Sequence, residues 1–258
     1  MRNLQMEIRS QIPTGDLTPL SDRASQFSSG RLHIHHYLRN HSPLICHTLK
    51  NPDLALSDPE CQIVKNDNTT TVGLIFRDSY KIAIKRYNTK NAWHRLRRTV
   101  RSSRAENCWH FTRILRNLDI SVAPAVAWIQ EIQAGLRGRS WFVSEFIDGI
   151  SCLDHFKGDV PLAEIKKTLG EIVEILCKLR HERISHGDLK ASNILLSSRG
   201  PVLIDLDAMR QHKTESTYQI AARKDVNRFL RNWQDNPVLL ATAQKLLSAQ
   251  GFQTDPPF

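Results

Sequence analysis

Several absences narrow the field before any motif is considered. No Cys-x-x-Cys pair occurs: the five cysteines, at 46, 61, 108, 152 and 177, are odd in number and widely spaced, which suits reduced, buried thiols rather than a disulfide framework. No apolar run approaches the ~18 residues of a transmembrane helix. Met1 to Pro13 also lacks the apolar stretch of about 7–15 residues that marks a signal peptide. The chain is therefore expected to stay in the compartment where it is made. Internal repeats and extended low-complexity segments are absent. At 258 residues and 40% hydrophobic content, the chain can bury the core of one two-lobed domain or of two small ones. Histidines at 33, 35, 36 and 41 crowd the N-terminal region. They lack an associated Cys and any spacing that recurs in zinc sites, so a solvated polar segment is expected there.

The run His186-Gly187-Asp188-Leu189-Lys190-Ala191-Ser192-Asn193, followed by Ile204-Asp205-Leu206-Asp207, fits phosphoryl transfer from ATP. In the kinase arrangement a catalytic-loop Asp accepts the proton of the attacking hydroxyl and an Asn five residues later binds Mg²⁺. A second Asp, beyond a hairpin, holds the metal that bridges the phosphates. Asp188, Asn193 and Asp205 have that order and spacing. Ile194-Leu195-Leu196 and Pro201-Val202-Leu203-Ile204 are short apolar strands around the turn Ser197 to Gly200, which predicts a hairpin with Asn193 and Asp205 side by side at one end. Lys190 is a candidate to neutralise charge on the transferred phosphate.

Upstream, Tyr80, Ile82 and Ile84 alternate with Lys81, Ala83 and Lys85, the pattern of a strand with one buried face. Lys85 ends this Ala-Ile-Lys pattern about 100 residues before the catalytic loop, the place of the lysine that pairs with the α/β-phosphates and with a Glu of the next helix. Glu106 is the only carboxylate between Lys85 and Leu118. Either it is that partner, on a helix predicted over Arg104 to Leu118, or it faces solvent. The turn before Lys85, Asn66-Asp67-Asn68-Thr69, has no glycine, although Asp and Asn tolerate turns and Thr69 offers a hydroxyl that could cover phosphates. Strands are expected near Cys61–Lys65, Thr70–Phe76, Tyr80–Tyr87, Ala125–Gln130 and Trp141–Phe146. Glu145 falls at the hinge, where backbone groups bind adenine. Helical periodicity from Pro161 to His181 predicts a core helix, and Lys224-Asp225-Val226 opens a second pattern. No Ala-Pro-Glu motif follows Asp205, which leaves little room for a peptide-docking subdomain. The expected boundaries are an irregular or partly helical extension over 1–59, a β-rich N-lobe over 60–147 and a shortened, mainly helical C-lobe over 148–258.

The formal net charge is +10, and Lys85 to Arg116 holds ten Lys or Arg against the single Glu106. An anionic partner is expected. Trp93, Leu96 and Val100 share a helical face flanked by Arg95, Arg97, Arg98 and Arg101, the composition of a helix on an anionic membrane surface or one that binds phosphates. No aromatic-rich motif accompanies the charge, so nucleic acid is not expected.

Lys85-Arg86-Tyr87-Asn88, the basic Trp93-His94-Arg95-Leu96-Arg97-Arg98 run, Ser103-Arg104-Ala105, Phe146-Ile147-Asp148-Gly149 and the two catalytic motifs together resemble the bacterial lipopolysaccharide core kinases, the Kdo/heptose kinase family. The resemblance covers roughly residues 60 to 235. It implies an α+β, bilobal protein-kinase-like fold and the use of ATP and Mg²⁺ to phosphorylate a heptose or Kdo hydroxyl of the inner core. The partners it implies are the core oligosaccharide or a lipid-linked precursor and, through residues 93–104, an anionic membrane. Its location would be the cytoplasm, peripheral on the inner membrane. Carried over by residue, Asp188 is the base, Asn193 and Asp205 are metal ligands, Lys85 is the phosphate clamp, and Asp225 is a buried carboxylate bracing the catalytic loop. The alternatives are a protein serine/threonine kinase, suggested by Lys190, and a non-catalytic nucleotide-binding scaffold.

Overall fold

The computed structural model describes residues 24–37, 43–77, 80–88 and 102–254. The basic segment with Trp93, Arg95, Leu96, Arg97, Arg98, Val100 and Arg101 lies outside the described residues. The chain divides into two compact units, one running to His110 and resuming over Pro124–Phe146, the other made of Phe111–Ala123 and the chain from Ile147 onward.

The first unit is built on an antiparallel sheet of β1 (Ala24–Ser29), β2 (Leu32–Tyr37), β3 (Cys61–Asn66), β4 (Thr70–Arg77), β5 (Tyr80–Tyr87), β6 (Ala125–Gln133) and β7 (Leu136–Glu145), in the order β1-β2-β6-β7-β5-β4-β3. Lys85 in β5 pairs with Val72 of β4 and with Phe142 of β7. The predicted alternation holds in β5, where Ile82 and Ile84 are fully buried. They join a core with Ile34, Ile75, Ile129, Trp141 and Val143. Helices α1 (Pro43–Lys50) and α2 (Pro52–Leu56) add Ile45, Leu49, Ala55 and Leu56 to the same cluster. Asp53 fixes α2 through its carboxylate, which accepts from Trp141 Nε1 at 3.1 Å and from Arg139 at 2.5 Å.

The segment up to residue 59, expected to be irregular or partly helical, holds the hairpin β1–β2 besides the helices α1 and α2. The hairpin's inward residues include Ile34 and His36, both essentially buried, and β2 pairs along β6. Of the histidines that read as a polar segment, His33, His35 and His36 are strand residues, His35 stacking on Trp128 at 4.2 Å between ring centroids, and His41 lies outside the described residues.

A helix follows as predicted, α3 (Arg104–Asn117). Its first turns bury Ala105, Cys108 and Trp109, with Trp109 stacked on Tyr37 at 4.5 Å.

The second unit is mainly helical. It contains β8 (Ile150–Ser151), α4 (Cys152–His155), α5 (Leu162–His181), β9 (Ile184–Ser185), β10 (Ile194–Ser197), β11 (Gly200–Leu203), β12 (Arg210–Gln211), α6 (Glu215–Leu230) and α7 (Pro237–Ala249). In α5 the periodic residues Ile165, Leu169, Ile172, Val173, Leu176 and Leu179 are buried as expected, whereas Leu162 in the first turn is half exposed. Helix α6 begins about ten residues before the Lys224-Asp225-Val226 pattern that announced it. Thr214 caps it, accepting from the Thr217 N–H, and a polar first turn conceals this start in the sequence.

Candidate active site

The catalytic loop hangs between β9 and β10 and is anchored from beneath by α6. Asp225 is buried, and one of its carboxylate oxygens, Oδ2, accepts from the N–H of His186 at 2.7 Å and of Gly187 at 3.0 Å. These backbone donors have no ladder partner in a loop, so a buried carboxylate satisfies groups that would otherwise cost about 1–3 kcal/mol each. Gly187 has φ +81°, and a Cβ there would meet the Ala208 carbonyl oxygen at 2.5 Å. Left-handed backbone and close approach both require glycine at this position.

His186 is packed behind the loop. Its Nε2 lies 3.2 Å from the Ile204 carbonyl; a carbonyl only accepts, so Nε2 carries the proton and donates. Burial lowers the imidazole's proton affinity against the opposing pull of Asp225 and Asp205, which keeps the ring neutral.

Asp188 emerges from the loop one quarter exposed, with a cation on each oxygen. Lys190 Nζ donates to Oδ2 at 2.9 Å, and Arg228 Nη1, from α6, donates to Oδ1. Burial raises the proton affinity of the carboxyl, but the hydrogen bonds and charges of Lys190 and Arg228 more than offset it, holding Asp188 below the ordinary carboxylate value. The loop also closes on itself: the Asp188 carbonyl accepts from the Lys190 N–H at 2.9 Å and from Asn193 Nδ2 at 2.8 Å.

The predicted hairpin is present, with Ile194 opposite Leu203 and Ser197 opposite Gly200. Its open end continues through Ile204 N–H donating to the Asn193 carbonyl at 3.0 Å, so Asn193 and Asp205 flank one end. Asp205 adopts a left-handed conformation, φ 61° and ψ 51°, that Asp tolerates better than most residues. The donor set suits Mg²⁺. Asn193 has spent its amide nitrogen on Asp188, leaving Oδ1, and Asp205 supplies a carboxylate; both are hard oxygen donors. Among the described residues no cluster of three or more His, Cys, Asp or Glu could hold a metal unaided, as suits an ion that takes most of its ligands from phosphate and water.

In the first unit Lys85 is half buried, its Nζ 5.2 Å from the centroid of the Tyr87 ring. Glu106 lies in the first turn of the predicted helix and caps it. Ser103 Oγ accepts from the Glu106 N–H at 3.2 Å while Glu106 Oε2 accepts from the Ser103 N–H at 3.2 Å, a capping box at the start of α3. The same Oε2 pairs with Arg137 at 3.2 Å. Its Oε2 thus serves both the Ser103 N–H and Arg137.

At Glu145, the N–H donates to Pro124 O and the next N–H, that of Phe146, to Lys81 O, both at 2.9 Å. The β3–β4 turn is self-contained. Asp67 Oδ1 accepts from the Thr69 hydroxyl at 2.6 Å and from the N–H groups of Thr69 and Thr70 at 2.7 and 2.8 Å. The Thr69 hydroxyl bond, first among these, holds Asp67 ionised well below the usual carboxylate range. The Thr69 hydroxyl is thus spent on Asp67, whose other oxygen pairs with Lys65 at 3.2 Å.

A family model of the lipopolysaccharide kinase (Kdo/WaaP) family matches residues 59–249. The chain belongs to that family. Among solved structures, WaaP in complex with acyl carrier protein aligns with a TM-score of 0.52 and 16% identity over 81% of this chain and 93% of that one, a likeness of fold alone. The Mycobacterium tuberculosis PknI kinase domain aligns at a TM-score of 0.44 and 13% identity, over 69% of this chain and 75% of that one, and carries no argument. Mitogen-activated protein kinase kinase 1 of Arabidopsis thaliana is 42% identical over 65 residues, 24% of this chain and 18% of that protein. The chain thus spans less than a fifth of that curated relative.

The chain is thus a Kdo/WaaP family member with a protein-kinase-like, α+β fold. The second unit brings Asp188, Lys190, Asn193 and Asp225 into one bonded loop. Sequence reasoning missed Arg228. Its signal was available, because Asp225 and Arg228 are three apart on one helical face, and a carboxylate bracing the loop implies a neighbour that reaches it.

Proposed function

We propose that the chain transfers the γ-phosphoryl group of ATP to a sugar hydroxyl, of a heptose or a Kdo residue, in the inner core of lipopolysaccharide. The observation that supports this most is the bonded state of Asp188, an ionised carboxylate in a glycine-shaped loop. The acceptor hydroxyl gives its proton to Asp188 as its oxygen forms a bond to the γ-phosphorus, and the bond to the β,γ-bridging oxygen breaks to release ADP. Lys190 sits beside the reacting oxygen and neutralises charge on the transferred group, and Lys85 holds the α/β-phosphates. Asn193 and Asp205 would hold Mg²⁺, which supplies charge neutralisation across the phosphates.

Incubating the protein with Mg-ATP and purified core oligosaccharide, then reading the product by phosphorus NMR, should show a new sugar phosphomonoester. Phosphorylation of generic protein substrates in place of the saccharide would overturn the reading. A protein-kinase role is disfavoured by the chain after Asp205, where residues 206–214 hold only a 3₁₀ turn, Leu206–Ala208, and β12 before α6 begins.

Asp205→Asn should weaken Mg-dependent ATP binding by about tenfold, because the ion loses a charged ligand, and leave Mg-free nucleotide binding where it was. Titration calorimetry with and without Mg²⁺ checks this. Equal Mg-ATP affinity in variant and parent would remove Asp205 from the metal site.

We place the enzyme on the cytoplasmic face of the inner membrane, docked through the basic segment 93–104. No helix among the described residues is long and apolar enough to cross a membrane. Each arginine near an anionic surface contributes about 1 kcal/mol. Replacing Arg95, Arg97, Arg98 and Arg101 together with Gln should therefore release the protein from anionic liposomes, and raised salt should mimic the change. Sedimentation of the fourfold variant with the liposomes would move the docking site elsewhere.

A further inference from the structure

Asp188 is not oriented by its own loop alone. Arg228 reaches it from α6, one helical turn after Asp225, and that single bond to Oδ1 is the one the guanidinium makes among the described residues. The arginine side chain is 41% exposed. A guanidinium has five N–H donors in a planar fork, and this one spends a single donor on Asp188 while its side chain stays partly open to solvent. Its neighbours are otherwise engaged. Asp225 is spent on His186 and Gly187, and Lys190 occupies the opposite oxygen of Asp188.

An acceptor hydroxyl must come within hydrogen-bond reach of Asp188, and so it arrives against the open edge of Arg228. A planar fork anchored at one corner is suited to grip a carboxylate or phosphate with two parallel hydrogen bonds. We propose that Arg228 binds an anionic group, carboxylate or phosphate, carried by the acceptor close to the hydroxyl that is phosphorylated. Its remaining bond to Asp188 then sets that hydroxyl against the base. The inference rests on reading Asp188 as the base and a saccharide as the acceptor.

The test compares the parent, R228Q and R228K at saturating Mg-ATP on three acceptors: native core oligosaccharide, the same material with its carboxyl groups reduced, and the same material treated with phosphatase. With the native acceptor, R228Q should raise the acceptor KM about tenfold or more while the KM for ATP moves less than about twofold. R228K should recover part of the loss. Removing the anion that Arg228 grips should raise the parent's KM to a similar degree and make R228Q no worse than the parent, so the treatment that abolishes the difference identifies the anion. An unchanged acceptor KM in R228Q overturns the inference, as does a loss that persists equally on both neutralised acceptors.

D188N measured in parallel separates the two readings. Full transfer by D188N would remove the base on which the inference rests, whereas its failure beside an unaltered acceptor KM in R228Q removes Arg228 alone. Should the parent phosphorylate none of the three, the sugar-acceptor reading fails, and calorimetric titration of the same saccharides into parent and R228Q still decides the role of Arg228. Equal affinities overturn it.

Discussion

Replacing Asp188 with Asn is expected to reduce phosphoryl transfer by about a hundredfold to ten-thousandfold, the usual worth of a positioned general base, with little change in stability or nucleotide affinity. The substitution conserves volume and removes the proton acceptor. An amide can still accept from Lys190 or Arg228 through its one oxygen, but its NH₂ group faces the other cation. The parent ion pairs are partly exposed, the Lys190 and Arg228 side chains being 48% and 41% accessible, so their loss should cost no more than about 1 kcal/mol. Single-turnover transfer, thermal unfolding and ATP titration measure the three quantities separately. Transfer at the parental rate would take Asp188 out of the mechanism.

Asp225→Ala should have the largest effect on stability, about 3 kcal/mol, together with loss of transfer. It strips the acceptor from the N–H groups of His186 and Gly187, and nothing else in the loop can take them. Asp225→Asn is the informative companion. Both donors converge on a single oxygen, Oδ2, and an amide oxygen in the same place keeps both bonds, so this variant should retain most of the stability that Ala loses. Denaturant unfolding of the two variants checks the ordering. An unaltered midpoint in Asp225→Ala would show that the loop holds its shape without the brace.

The elements that were legible in the sequence are those whose pattern matches one strong period. The alternation of Ile82 and Ile84 gave β5, the helical spacing from Ile165 to Leu179 gave α5, and two apolar strands around Ser197 to Gly200 gave the hairpin beneath Asn193. Where the local pattern is weak, the reading failed. The β1–β2 hairpin carries serines and histidines, and burial of Ile34 and His36 follows from pairing with β6, about 95 residues away, which no local window contains. Glu106 was left between partner of Lys85 and solvent-facing residue, although Ser103-Arg104-Ala105-Glu106 is a capping box that offers a third, local role. Thr69 illustrates a third limit. Composition names a donor, but only the fold shows that another group has already taken it.

The placement of β1 and β2 bears on how this protein can be shortened. The family match begins at residue 59, yet β2 covers the outer edge of β6, and the segment before residue 59 supplies Ile34, Ile45, Leu49 and Leu56 to the core. A chain trimmed to the family boundary would turn the nine-residue strand β6 into an open edge beside an uncovered apolar face. Such an edge is a template for strand pairing between molecules, so the trimmed protein should aggregate, and the hairpin ahead of the family match serves as the device that keeps that edge paired.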